Sequence, residues 1–125
     1  MKEPGDRRHV AAGTMELLST VRFEEELRRV ARFCPRLPVG DALAAAVRRI
    51  EQNPAFTQSR LLTRILAALI YQEGEFRRAE IAALDADSLA MVIALMDVHA
   101  AGTSTREEWV CALDKARTAE LAAGD

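Results

Sequence analysis

The sequence is poor in aromatic residues and in cysteine. Aromatic side chains make up 5% of the 125 residues, and the strand-favouring Thr, Val, Ile and Tyr do not cluster in alternating runs, so the composition favours helices. The two cysteines, Cys34 and Cys111, have no CxxC or Cys/His spacing, which argues against a disulfide scaffold and a zinc module. We expect both thiols to be reduced and packed, with one disulfide between them as the alternative.

No stretch of the sequence predicts a membrane segment or a secretory signal. The longest apolar run, residues 89–96, is much shorter than the roughly 20 residues that a membrane-spanning helix needs. Residues 1–10 carry charges, Pro4 and Gly5 instead of the apolar core of a signal peptide. We therefore expect a cytoplasmic protein that does not bind membranes.

Sequence signatures of catalysis are also missing. The chain has no Gly-rich phosphate loop, no HExxH motif and no GxSxG motif. Its 2 histidines are His9 and His99, and neither lies in a pattern typical of an activated nucleophile. We expect no enzymatic activity and no cofactor.

The charge balance argues against nucleic-acid binding. The formal net charge is -2, whereas nucleic-acid-binding domains usually carry a basic excess that neutralises phosphates. Residues 79–95 could form a helix-turn-helix, which is an alternative function. However, the segment that would read the bases, residues 88–98, contains no Arg, Lys, Asn or Gln to hydrogen-bond with base edges.

The small net charge conceals an unequal distribution along the chain. Residues 1–64 contain 12 basic and 8 acidic side chains, whereas residues 65–125 contain 5 basic and 11 acidic ones. Opposite charges attract, so the two halves can fold against each other or can meet head to tail in an oligomer. The sequence leaves both possibilities open.

Apolar residues recur at helical spacing through most of the chain, which predicts five or six helices. The first begins after Thr14 and ends at Pro35, the second covers 41–52, and the third runs from about 57 or 59 to a turn at Gly74. A short fourth helix ends near residue 84, and the fifth covers 88 to about 100. The sixth follows a Gly102 C-cap.

These helices predict an all-α fold, a compact bundle of short helices in a single domain. The domain covers residues 14–122, after a disordered tail at 1–13 and before a frayed C-terminus at 123–125. Helices three, five and six are expected to form its core. The inward-facing residues are Phe23, Leu27, Val30, Ala31 and Cys34; Leu43, Ala46, Val47 and Ile50; Leu61, Leu62, Ile65, Leu66, Leu69 and Ile70; and Trp109, Val110, Leu113 and Ala116.

Residues 97–108 have the outline of a calcium loop. Asp97, Gly102 and Glu108 lie at the first, sixth and twelfth positions, and Thr105 is a further oxygen. The region 69–109 thus resembles a pair of EF-hands, because residues 69–80 also place Gly74 at the sixth position and Glu80 at the twelfth. The resemblance implies a calcium, metal-ion or small-ligand binder.

Several positions depart from the EF-hand pattern. The third and fifth residues of the 97–108 loop are His99 and Ala101, and the eighth, usually an apolar residue that pairs between loops, is Ser104. In the 69–80 loop Leu69 and Tyr71 replace oxygen ligands, although Phe76 fits the eighth position. The preferred interpretation is a helix, a glycine turn and a capping box between Ser104 and Glu107.

A group of arginines near the end of the first helix offers an interaction surface. Arg28, Arg29 and Arg32 follow three consecutive glutamates, 24–26, an order that suits the helix dipole. If the protein associates, these arginines could meet Glu73, Glu75 and Glu80. The leading hypothesis is a non-enzymatic module that binds itself or another, unidentified protein.

Overall fold

The computed structural model describes residues 17–32 and 41–124. Within these ranges the chain forms six helices and one two-stranded sheet, which confirms the mostly α-helical bundle. The predicted tail at 1–13, Cys34 and the break at Pro35 lie outside the described residues. The elements are β1 (Leu17–Ser19), α1 (Thr20–Ala31), α2 (Ala42–Gln52), α3 (Thr57–Tyr71), β2 (Glu75–Arg77), α4 (Arg78–Ala83), α5 (Ala86–Ala101) and α6 (Arg106–Gly124).

The small sheet is a feature that the sequence did not predict. Strands β1 and β2 are antiparallel, and Leu18 lies opposite Phe76. Residues 17–19 were assigned to the first helix, but α1 begins only at Thr20, because the Ser19 side chain accepts a hydrogen bond from the Arg22 backbone N–H and caps it. Each strand is three residues long, too short to show a period-2 pattern.

Helix α3 is central to the core, as predicted. It packs against α2, α5 and α6, while α5 also contacts α1 and α2. Most of its side chains are buried, including Leu62 and Leu66 at 0% exposure, and burial of one such side chain stabilises the fold by about 1.5–3 kcal/mol. The buried residues of α3 are Ser59, Leu61, Leu62, Thr63, Ile65, Leu66, Ala68, Leu69 and Ile70.

Helix α6 packs against α2 and α3, and its inward face is the predicted one. Trp109 is 4% exposed and Leu113 is 1% exposed. Cys111 was expected to be packed, but it is exposed and free. It lies on the outer stripe of α6 with Glu107 and Asp114, both also exposed, because residues three and four apart share one face of a helix.

The prediction was also wrong for Val30, which is 37% exposed. Leu27 and Phe23, one and two turns earlier on α1, are 0% and 1% exposed. Val30 lies in the last turn of α1, where the described neighbours no longer cover it. Ala31 is partly buried and packs against the core.

Candidate functional site

The 97–108 segment begins as a helix and not as a loop. Helix α5 continues through Ala101, so the positions that would wrap around a calcium ion have helical geometry. The Asp97 carboxylate accepts a hydrogen bond from the Arg28 guanidinium at 3.0 Å. Gly102 ends α5 in the left-handed region with φ 68°, as predicted, because glycine tolerates this conformation.

The start of α6 is fixed by a reciprocal capping box. The Thr105 hydroxyl accepts a hydrogen bond from the Glu108 backbone N–H at 3.1 Å, and the Glu108 carboxylate accepts one from the Thr105 backbone N–H at 2.7 Å. The predicted box of Ser104 and Glu107 is therefore wrong by one residue. The candidate metal ligands were Asp97, Thr105 and Glu108. The carboxylates of Asp97 and Glu108 each accept a hydrogen bond from another residue of the chain.

The two candidate calcium loops are not paired with each other. Phe76, the eighth residue of 69–80, pairs with Leu18 of β1, and Ser104 lies in no strand. Within residues 17–32 and 41–124, no three His, Cys, Asp or Glu side chains are grouped so that they could hold a metal ion.

The arginines proposed for association are largely engaged within the chain. Arg28 forms an ion pair with Asp97, and Arg29 forms one with Glu26. Arg32 is exposed, as are Glu73 and Glu75, whereas Glu80 forms an ion pair with Arg64. The structure thus does not present Arg28, Arg29 and Glu80 as free charges.

Four ion pairs among the described residues join the basic half of the sequence to the acidic half. They are Arg28–Asp97 at 3.0 Å, Arg49–Asp85 at 3.3 Å, Arg64–Glu80, and Arg78–Glu26 at 2.9 Å, in which the acidic half supplies the base. Asp85 also caps α5 by accepting a hydrogen bond from the Ser88 backbone N–H at 2.7 Å, and this bond lowers the pKa of the Asp85 carboxyl. The two halves fold against each other, which was one of the two possibilities.

Among the carboxyl groups of the described residues, Glu24 is the one whose pKa is raised. It is half-buried on α1, and burial raises its pKa although the charges of His99 and Arg28 lower it. His99, in the last turn of α5, packs edge-on against Trp109 with ring centroids 5.4 Å apart. This cluster connects α1, α5 and α6, and it carries no arrangement typical of acid–base catalysis.

A groove between α3 and α6 combines free positive charge with an exposed leucine. It has a volume of about 520 Å³ and is lined by Arg60, Arg64, Arg117, Glu120 and Leu121. Leu121 is 73% exposed. We call this surface the α3–α6 groove.

The arginines of the α3–α6 groove differ in their partners. Arg64 is paired with Glu80, whereas Arg60 and Arg117 form no ion pair with any residue of 17–32 or 41–124. Phe56, one turn before Arg60, is 61% exposed. Sequence reasoning missed this groove because it joins residues about 60 positions apart, and only the fixed spacing of Phe56, Arg60 and Arg64 hinted at it.

A second groove lies between α2 and α6 and has a volume of about 710 Å³. Acidic side chains predominate in its lining, since Asp41, Glu51, Glu107 and Glu108 lie there with Arg48 and Lys115. Cys111 also lines it. This surface therefore does not suit an acidic partner.

Comparisons with protein-family models, with curated proteins and with solved structures found no match. None of the helices in the described parts of the chain has the length and the apolar character that crossing a membrane would require.

Proposed function

We propose that this protein is a non-enzymatic interaction module that binds an acidic, partly apolar segment of another protein in the α3–α6 groove. One observation carries the proposal. Arg60 and Arg117, which have no anionic partner among the described residues, lie in one groove with the exposed side chain of Leu121. Arginine is enriched at protein–protein interfaces and among their binding hot spots.

The chemistry of the partner follows from the groove. Two guanidinium groups can each form paired hydrogen bonds with a carboxylate, so an Asp or Glu side chain is the complementary group. Burial of Leu121 would add about 1.5–3 kcal/mol, which requires an apolar residue on the partner next to its acidic ones. Because the groove is built on two packed helices, binding would cost little ordering entropy.

A second copy of this chain is the less suitable occupant. Asp85, Asp97 and Glu80, which could have met the arginines of another copy, already pair within the chain. A nucleic acid is disfavoured by the net charge of -2, since phosphate binding needs a larger basic excess.

The test is a titration of the labelled protein with a designed helical peptide of Glu, Leu and Ala, followed by amide NMR. We expect saturable shifts at Arg60, Arg117 and Leu121 with a Kd of about 100 µM, a value typical of a peptide not optimised for the site. Both the Arg60→Glu/Arg117→Glu variant and the Leu121→Asp variant should weaken binding at least about tenfold.

Two controls make this test specific. Arg48→Glu changes an equally exposed arginine on α2 and should leave the Kd unchanged, and a peptide with Lys in place of Glu should not bind. Equal losses with Arg48→Glu, or shifts confined to other surfaces, would contradict the proposal. Tighter binding of a single-stranded oligonucleotide than of the acidic peptide would replace it with a nucleic-acid function.

A further inference from the structure

The side chain of Arg64, on α3, is bound by residues of β2 and α4. The Arg64 guanidinium, on α3, donates hydrogen bonds to both carboxylate oxygens of Glu80, with Nη2 3.4 Å from Oε1. The same Nη2 donates to the Glu75 carbonyl oxygen at 2.8 Å. One positive charge therefore links α3 with β2 and α4.

These acceptors occupy the positions of the 69–80 segment at which a calcium loop binds its ion. In a calcium loop the seventh residue offers its backbone carbonyl and the twelfth offers both carboxylate oxygens. Here the seventh residue is Glu75 and the twelfth is Glu80. The guanidinium thus bonds the same two groups that would hold the metal.

The other ligand positions of the segment suit no hard cation. Leu69, at the first position, is 1% exposed in the core, and the Tyr71 ring, at the third, lies 5.5 Å from the Arg106 Cζ. Calcium needs six to eight oxygen ligands. A guanidinium ion needs fewer acceptors, because it presents its N–H donors in one plane.

An aromatic ring completes the surroundings of the Arg64 guanidinium. Its Cζ lies 5.0 Å from the centroid of the Phe76 ring, and Phe76 stacks on Phe23 with centroids 3.9 Å apart. A planar, weakly hydrated cation binds well against an aromatic face. A divalent metal ion would gain no oxygen ligand from that face, so the ring favours guanidinium.

We propose that residues 69–80 form a guanidinium-selective cation site, that its ligand in the intact protein is Arg64, and that removal of this side chain opens the site to free guanidinium ions. The proposal does not require peptide binding in the α3–α6 groove, although Arg64 also lines that groove. Glu80 is ionised at neutral pH as the site requires: burial raises its pKa, but the hydrogen bonds from Arg64 and from the Arg77 backbone N–H outweigh this and lower it.

The first experiment removes the internal cation. In Arg64→Ala, guanidinium chloride at non-denaturing concentrations should produce saturable shifts of the Gly74 and Arg77 amides, with a midpoint of roughly 10 mM. The wild-type protein should show no such shifts over the same range, because its site is filled. Calcium should move neither amide saturably in either protein.

The controls separate binding from changes of ionic strength. Arg60→Ala, which removes an arginine one turn earlier on α3, should respond as the wild type does. Tetramethylammonium chloride, a cation without N–H donors, should give no saturable shift in Arg64→Ala. If Arg64→Ala responds equally to both salts, or not at all to guanidinium, the proposal is wrong.

A second measurement does not depend on the folding of Arg64→Ala. In the wild type, the side-chain N–H resonances of Arg64 should be slow to exchange with water, and Glu80→Gln should speed this exchange at least about tenfold, because a charged acceptor binds guanidinium more strongly than an amide does. Unchanged exchange in Glu80→Gln, or a saturable calcium shift of Gly74 in the wild type, would overturn the assignment.

Discussion

At the scale of single residues, Glu24 is a carboxylate whose ionisation opposes folding. Its pKa is raised by burial, and the charges of His99 and Arg28 only partly compensate. The native state therefore binds this proton more tightly than the unfolded chain, in which the pKa of a glutamate is about 4.3. The protonated form of Glu24 stabilises the native state fully below that pH, and this contribution is lost as pH rises through the folded pKa.

We predict that Glu24→Gln is more stable than the wild type at pH 7 and equally stable at about pH 4. The comparison is made from the urea midpoint of unfolding at each pH. Glu25→Gln changes the exposed neighbour on α1 and should alter stability by less than about 0.5 kcal/mol at either pH. A loss of stability for Glu24→Gln at pH 7 would mean that the attraction to His99 and Arg28 exceeds the cost of burial.

Burial of individual side chains was largely predictable, whereas their polar partners were not. The helical spacing of Leu66 and Trp109 was enough to place both in the core, where they are 0% and 4% exposed. The spacing of charges on α1 predicts the pairs Glu24–Arg28 and Glu25–Arg29, but Arg28 bonds to Asp97, 69 residues away, and Arg29 pairs with Glu26. A long arginine side chain can reach several carboxylates, so its partner depends on how the helices pack.

At the scale of helices and strands, the existence of each helix was predictable and several ends were not. Both Ser104 with Glu107 and Thr105 with Glu108 have the spacing of a capping box. Sequence alone cannot choose between them. The choice depends on the number of residues in the turn between Gly102 and α6, which is set by the packing of α6 against α2 and α3. The short strands were missed because the residues that pair are far apart in the sequence: Leu18 lies opposite Phe76, 58 residues later.

We predict that Thr105→Ala destabilises the fold by about 1 kcal/mol, because the Glu108 backbone N–H loses the hydroxyl that caps it. Ser104→Ala is the matched control, since it removes a hydroxyl from the adjacent residue, and it should cost less than about 0.5 kcal/mol. Chemical denaturation of both variants gives the comparison. The reverse order of stabilities would place the cap at Ser104, as the sequence first indicated.

At the scale of the whole molecule, opposite charges of the two halves pair with each other within the chain. Arg28–Asp97, Arg49–Asp85 and Arg64–Glu80 each join one half to the other. The asymmetry itself was visible in the sequence, but whether it acts within one chain or between chains depends on which surfaces the bundle brings together. Each of these partly exposed pairs contributes at most about 1 kcal/mol, so the buried core stabilises the contact between the halves more than the ion pairs do.

We predict that the protein sediments as a monomer up to about 100 µM at both low and moderate salt, because Arg28, Arg29 and Glu80, three of the charges that could drive head-to-tail pairing, are engaged internally. Sedimentation velocity at two ionic strengths checks this. A dimer that dissociates when salt is added would show instead that attraction between chains survives the internal pairing. The charges to reverse first would then be those that form no ion pair among the described residues, namely Arg32, Glu73 and Glu75. A second copy of this chain would also have to be tested as the occupant of the α3–α6 groove.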